Sequence, residues 1–201
     1  MRGIEIQMER QPEFGAFSLD SLSKEHGMKL KDIALSAIRS KAMGTKTKFM
    51  VEDEKLREKA GVFVTLKRAG ELRGCIGYTY PVFELWDATE KAAVHAAFSD
   101  PRFSSIRKDE LESLDVEISV LGPMELIKVQ SPEDIASLKI GTEGLMVTSH
   151  DTSGLLLPQV ATEFGMDALE FLEATCEKSG LPEDAWKDPR VSIYKFSARI
   201  F

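Results

Sequence analysis

GVFVTLKRAGELRGCIGY, residues 61–78, decides the class of this fold. β-Branched and aromatic residues stand on both sides of Ala69-Gly70, and such residues suit a pleated, half-buried surface. The stretch predicts a hairpin with strands over 62–67 and 71–78. A tight turn of this kind imposes antiparallel pairing. Upstream, Leu30, Ile33, Ala34, Ala37 and Ile38 recur at helical spacing within 23–43, and Gly44 ends that helix. A charged helical stretch over 52–60 stops at Gly61.

Downstream, Pro81 suits the first turn of a helix running to Phe98, and Asp100-Pro101 breaks it. A short helix over 107–114 leads into the strand DVEISVLG, where Val116, Ile118 and Val120 alternate before Gly122-Pro123. The second half repeats this order. Ser131-Pro132-Glu133 opens a short helix to Leu138. GLMVTSHDTSGLLL, 144–157, is a second hairpin turning at 151–154. Helical stretches over 158–179 end at Gly180-Leu181-Pro182, a short helix carries Trp186, and VSIYKF is the last strand. Gly61-Val62-Phe63-Val64-Thr65 is matched by Gly144-Leu145-Met146-Val147-Thr148. The expected architecture is therefore α+β: an antiparallel sheet with helices, two lobes and an internal β-β-α-β repeat. Residues 1–20 read as an N-terminal arm with one short strand over 4–8, and 21–201 as a single domain.

Composition bounds the partners. The net charge is −7, which disfavours nucleic acid, whose backbone calls for a basic surface. No apolar run reaches the roughly 18 residues of a membrane span, and the N-terminus does not read as a signal peptide. A cytoplasmic protein without a membrane association is expected. The two cysteines, Cys75 and Cys176, form no CxxC pair, and His26, His95 and His150 are scattered. Neither a metal nor a cofactor motif is present in this pattern, and none is expected.

LRGCIG, residues 72–77, holds the candidate chemistry. On a regular strand, Arg73 and Cys75 share one face, so a guanidinium would stand beside a thiol. Gly74 and Gly77, without side chains, let backbone approach a ligand. The other reading is a small buried cysteine in a tightly packed strand. Both stay open on the residues alone. Cys176, in helical register with Leu169 and Leu172, reads as core. His95 is the candidate base for Cys75. Arg102, in the sharp exit Asp100-Pro101-Arg102-Phe103, is the candidate second contact for an anion, and Gln159 a polar contact at the end of an apolar strand.

Five blocks in this order, LRGCIG at 72–77, SDPRF at 99–103, VEISVLGP at 116–123, GLLLPQVA at 154–161 and FLEATCEKSGLPEDAW at 171–186, resemble the AMMECR family. The likeness runs from about residue 27 to about residue 200. It implies an α+β fold of two lobes with a groove between them, and a site at Arg73, Gly74, Cys75 and Gly77. It implies no particular reaction. Some members of that family resemble halves of fusions with Memo-type proteins and keep company with radical-SAM enzymes, which makes such proteins candidate partners. Two functions follow as expectations. One is a small-molecule enzyme or ligand-binding protein taking a small anionic ligand, with Arg73 binding it and Cys75 as nucleophile. The other is a non-catalytic protein-interaction module.

Overall fold

The computed structural model describes residues 17–150 and 152–201. The expected strand over 4–8 lies outside them. The chain order is α1 (Lys24–Met43), α2 (Glu54–Arg57), β1 (Val62–Arg68), β2 (Glu71–Tyr78), α3 (Leu85–Phe98), β3 (Leu114–Leu121) and β4 (Glu125–Ile127), then α4 (Pro132–Ala136), β5 (Glu143–Ser149), β6 (Thr152–Leu156), α5 (Pro158–Phe164), α6 (Ala168–Lys178) and β7 (Ser192–Ile200). One antiparallel sheet runs β2-β1-β3-β7-β5-β6, with β4 on β7.

The repeat is a repeat of topology. In the first half, β1 lies between its hairpin partner β2 and the later strand β3. In the second, β5 lies between its hairpin partner β6 and the later strand β7. Thr65 and Thr148 hold matching places and face Cys75 and Ser153 across their hairpins. Each half also packs a helix against a strand glycine. A Cβ on Gly74 would stand 2.2 Å from the Ala96 carbonyl oxygen of α3, and one on Gly154 would stand 2.4 Å from the Ser179 nitrogen after α6. Gly154 therefore belongs to a strand rather than to the expected turn.

Local sequence sets most helix ends. Ser23 caps α1 by accepting the His26 N–H, and the chain leaves that helix through Gly44 at φ 72°, where a Cβ would be strained. Ser131 and Asp167 cap α4 and α6 in the same way. The start of α3 corrects the sequence expectation. It begins at Leu85, four residues after Pro81, because the approach is pinned elsewhere: the Leu85 N–H donates to the Glu58 carbonyl at 2.9 Å. Gly165, at φ 65°, separates α5 from α6. The three-residue strand β4 has no counterpart in the sequence expectation.

Alternation sorts the sheet into two faces. Val62, Val64, Leu66, Val116, Ile118 and Val120 pack under α1 and α3 in the first core, which also takes Phe17 from the end of the expected arm and Leu22 just after it. Leu145, Val147 and Ile193 pack under α6 in the second. A third cluster, including Met146, Tyr194 and Phe196 with Phe63 packed against it, lies on the opposite face and joins the lobes. Burying each such large apolar side chain contributes about 1.5–3 kcal/mol.

Candidate functional site

β2 is an edge strand, and at Cys75 it pairs with Thr65 of β1. Gly74 faces α3, so Cys75 points to the other face of the sheet. There its Sγ lies 3.4 Å from Thr65 Oγ1. Cys75 is half-buried, whereas Cys176 is fully buried in the second core. Burial pushes the Cys176 thiol up from its ordinary value.

The outer edge of Cys75 is closed by side chains. Its N–H donates to Asp100 Oδ2 at 2.9 Å, and its carbonyl accepts from Arg102 Nη2 at 3.1 Å. Arg102 in turn donates to Asp100 Oδ2 at 2.8 Å from Nη2 and to Oδ1 at 3.0 Å from Nε. An unpaired edge is open to another chain; here a carboxylate and a guanidinium stand where a neighbouring strand would. The Arg102 guanidinium holds the Asp100 carboxyl well below the usual carboxylate range, with the Cys75 and Arg102 N–H groups adding to this. Arg102 is raised, by Asp100 first and in smaller part by the charge of Cys75.

Arg73 is placed differently from its regular-strand expectation. The pairing slips from Leu66–Gly74 to Lys67–Leu72, so Arg73 is the extra residue of a bulge. Its guanidinium binds Glu110 through Nε at 3.0 Å and Nη2 at 3.2 Å, and donates to the Ser104 carbonyl at 2.8 Å. Glu110 is 4% exposed, and its carboxyl is lowered by Arg73 first and then by the Arg107 N–H. The cation near Cys75 is thus Arg102, while Arg73 ties β2 to the turn before β3.

His95 is exposed on α3, with Nδ1 3.4 Å from the Tyr78 hydroxyl. The sheet lies between α3 and the Cys75 side chain, so the structure does not bring these two together. Space beside both glycines is taken by protein: Ala96 at Gly74, and at Gly77 the Phe63 ring, 2.4 Å from where a Cβ would stand. His150 lines a cavity of about 740 Å³ in the second lobe.

Gln159, on α5 of the second lobe, reaches the first. Its Nε2 points at Glu117 Oε1 at 3.4 Å and Ser119 Oγ at 3.5 Å. Glu117 stands beside Thr65 on β3, in the same cross-strand row as Cys75. Lys67 Nζ binds Glu117 Oε2 at 3.0 Å and is raised chiefly by it. The row Cys75, Thr65, Glu117 spans two interstrand gaps, roughly 10 Å from Cα to Cα. Sequence reasoning misses Thr65, Lys67, Glu117 and Ser119. A signal for them exists: each is a polar residue alternating with the apolar core positions of its strand.

The class defined here is a two-lobed α+β protein with one curled antiparallel sheet and a polar row on the face away from the helices of the first core. The chain belongs to the AMMECR1 family, whose model matches residues 31–201. It is similar to a protein of Methanothermobacter thermautotrophicus, 49% identical over 183 residues that cover 90% of this chain and 95% of that protein. Protein PH0010 of Pyrococcus horikoshii is 49% identical over 151 residues, 73% of this chain and 73% of that protein. A crystal structure of PH0010, described as an uncharacterized protein, superposes with a TM-score of 0.83 at 44% identity, covering 88% of this chain and 90% of that one. No helix among the described residues is long and apolar enough to cross a membrane.

Proposed function

We propose that the sheet face shared by Cys75, Thr65 and Glu117 is a small-molecule site in which Cys75 is the nucleophile or covalent anchor. The observation that carries this reading is the setting of the thiol. It is half-buried, 3.4 Å from a hydroxyl that can donate to a thiolate, and beside a guanidinium that cannot lose its proton. Asp100 fixes the backbone on which the thiol sits. Gln159 extends the site to the second lobe, so a ligand there touches both halves. Arg102 acts on the thiol rather than as a free anion contact, and Arg73 holds the strand from behind.

The test is alkylation of Cys75 by iodoacetamide in Cys176→Ala protein, followed by mass spectrometry. Rapid modification of the folded protein, slowed severalfold by Arg102→Gln with the fold retained, is the expected result. Modification of Cys75 only after unfolding would sink the reading.

A second reading has one observation in its favour: LRGCIG and SDPRF lock each other at the edge of the sheet, which is sufficient structural work for both. On that reading the protein is an interaction module for Memo-type or radical-SAM proteins. A partner that binds Cys75→Ser as tightly as the parent protein would favour it.

A further inference from the structure

Resting on the small-molecule reading above, we infer that the Cys75 site takes an uncharged ligand that offers hydrogen-bond donors, of the amide or hydroxyl class, rather than an anion. The charges at the site decide this. An anion site needs a cation with attraction to spare. Arg73, Arg102 and Lys67 are the cations placed at or next to the row, and each already has a carboxylate. Arg73 is bound to Glu110, Arg102 to Asp100 and Lys67 to Glu117, all at 2.8–3.2 Å, and Glu110 also takes Arg68 at 3.3 Å, so that arginine has no attraction to spare either. Two of those carboxylates, Asp100 and Glu110, are 1% and 4% exposed, so solvent does not weaken the pairing from their side. Glu163 and Asp115 add negative charge around Lys67. A thiolate at Cys75 adds one more. The site is therefore neutral to negative, and its field opposes an incoming anion.

A second observation bears on the ligand independently of charge. Gln159 Oε1 is buried and has no hydrogen-bond partner among the described residues. The amide cannot turn over to hide it, because Glu117 is a carboxylate and only accepts; the NH2 must stay on that side. Buried polar atoms are nearly always paired, and an acceptor is paired by an N–H or O–H. The ligand class that meets both conditions has a donor and no negative charge.

The chemistry that tests this is S-alkylation: the Cys75 thiolate forms a C–S bond, the carbon–iodine bond breaks, and iodide leaves with the electron pair. Rates with iodoacetamide and with iodoacetate are compared on Cys176→Ala protein, each divided by the rate for 2-mercaptoethanol. The two reagents are nearly equal in size; one carries an uncharged amide and the other a carboxylate. The expected result is a normalised preference for iodoacetamide of about threefold or more at low salt, shrinking as salt screens the field. Glu117→Gln, which releases Lys67 from its partner, is expected to move the preference toward iodoacetate. A normalised ratio of one or below overturns the inference while leaving a reactive thiol intact. A preference unmoved by both salt and Glu117→Gln also overturns it, since charge would not be the cause. If neither reagent modifies the folded protein, the underlying small-molecule reading falls, and this inference with it.

Discussion

The backbone N–H of Cys75 donates to Asp100 Oδ2 at 2.9 Å, across 25 residues of chain. This bond ties the LRGCIG strand to the exit of α3 and puts a carboxylate where the next strand of a sheet would begin. Arg102 completes the closure by donating to the Cys75 carbonyl. Edge protection and thiol placement are thus one arrangement.

Removing that carboxylate is expected to be costly. Asp100→Ala leaves the Cys75 N–H without its partner and strips Arg102 of its counter-charge. A loss of about 3 kcal/mol is expected, of the size seen when one member of a buried charged pair is deleted. Urea unfolding of the two proteins measures it. A change below about 0.5 kcal/mol would mean that the closure does not stabilise the edge.

The same residue gives the protein an acid limit with a defined sign. Asp100 and Glu110 are both held below the ordinary carboxylate range, Asp100 chiefly by Arg102 and Glu110 chiefly by Arg73. A group with a depressed folded value binds its proton more weakly in the folded state. Its stabilisation is complete above the ordinary values of 3.8 and 4.5, and is lost as pH falls below them toward the folded values. Thermal midpoints measured from pH 5 down to pH 2 should fall steeply. The fall should be shallower in Asp100→Asn, which has no proton to take up at that position.

The two strand glycines provide a paired test of the repeat. Gly74→Ala drives a methyl into the Ala96 carbonyl, and Gly154→Ala drives one into the backbone at Ser179. Backbone has no flexible end to swing away. Each substitution should cost about 1–3 kcal/mol in urea unfolding, the usual range for overpacking. Gly70, at φ 83° with open space around it, is a different case: alanine there costs only the strained turn conformation, about 1 kcal/mol.

The two cysteines should separate cleanly by access. Cys176 is 0% exposed, and burial raises its thiol, so it should react with a disulfide reagent only on unfolding. Cys75 should react in the folded state. Counting reactive thiols before and after adding denaturant decides this; equal counts would contradict the burial of Cys176.

Much of the fold is legible in the residues. Ser23, Gly44 and Ser131 announce helix ends because capping is settled by atoms within a few residues of each other. Val62, Val64 and Leu66 announce a core face because strand side chains alternate without reference to the rest of the chain. Pro81 misleads, because a distant carbonyl at Glu58 fixes the approach to α3 and delays its start. Gly154 misleads as well: it reads as a turn residue, but its lack of a side chain serves the close passage of α6.

The candidate site divides in the same way. The sequence alone determined that Cys75 lies on a strand among glycines, that Asp100 and Arg102 form a sharp exit, and that the two halves share one order of elements. Only the tertiary structure decided which charge stands beside the thiol. A one-residue bulge turned Arg73 away to Glu110, and a chain reversal 25 residues after Cys75 brought Asp100 and Arg102 to its edge. Alternation along a strand is a local property, but a bulge is fixed by the register against the neighbouring strand. The partners of a charge are fixed by which segments the whole sheet and its helices bring within about 3 Å.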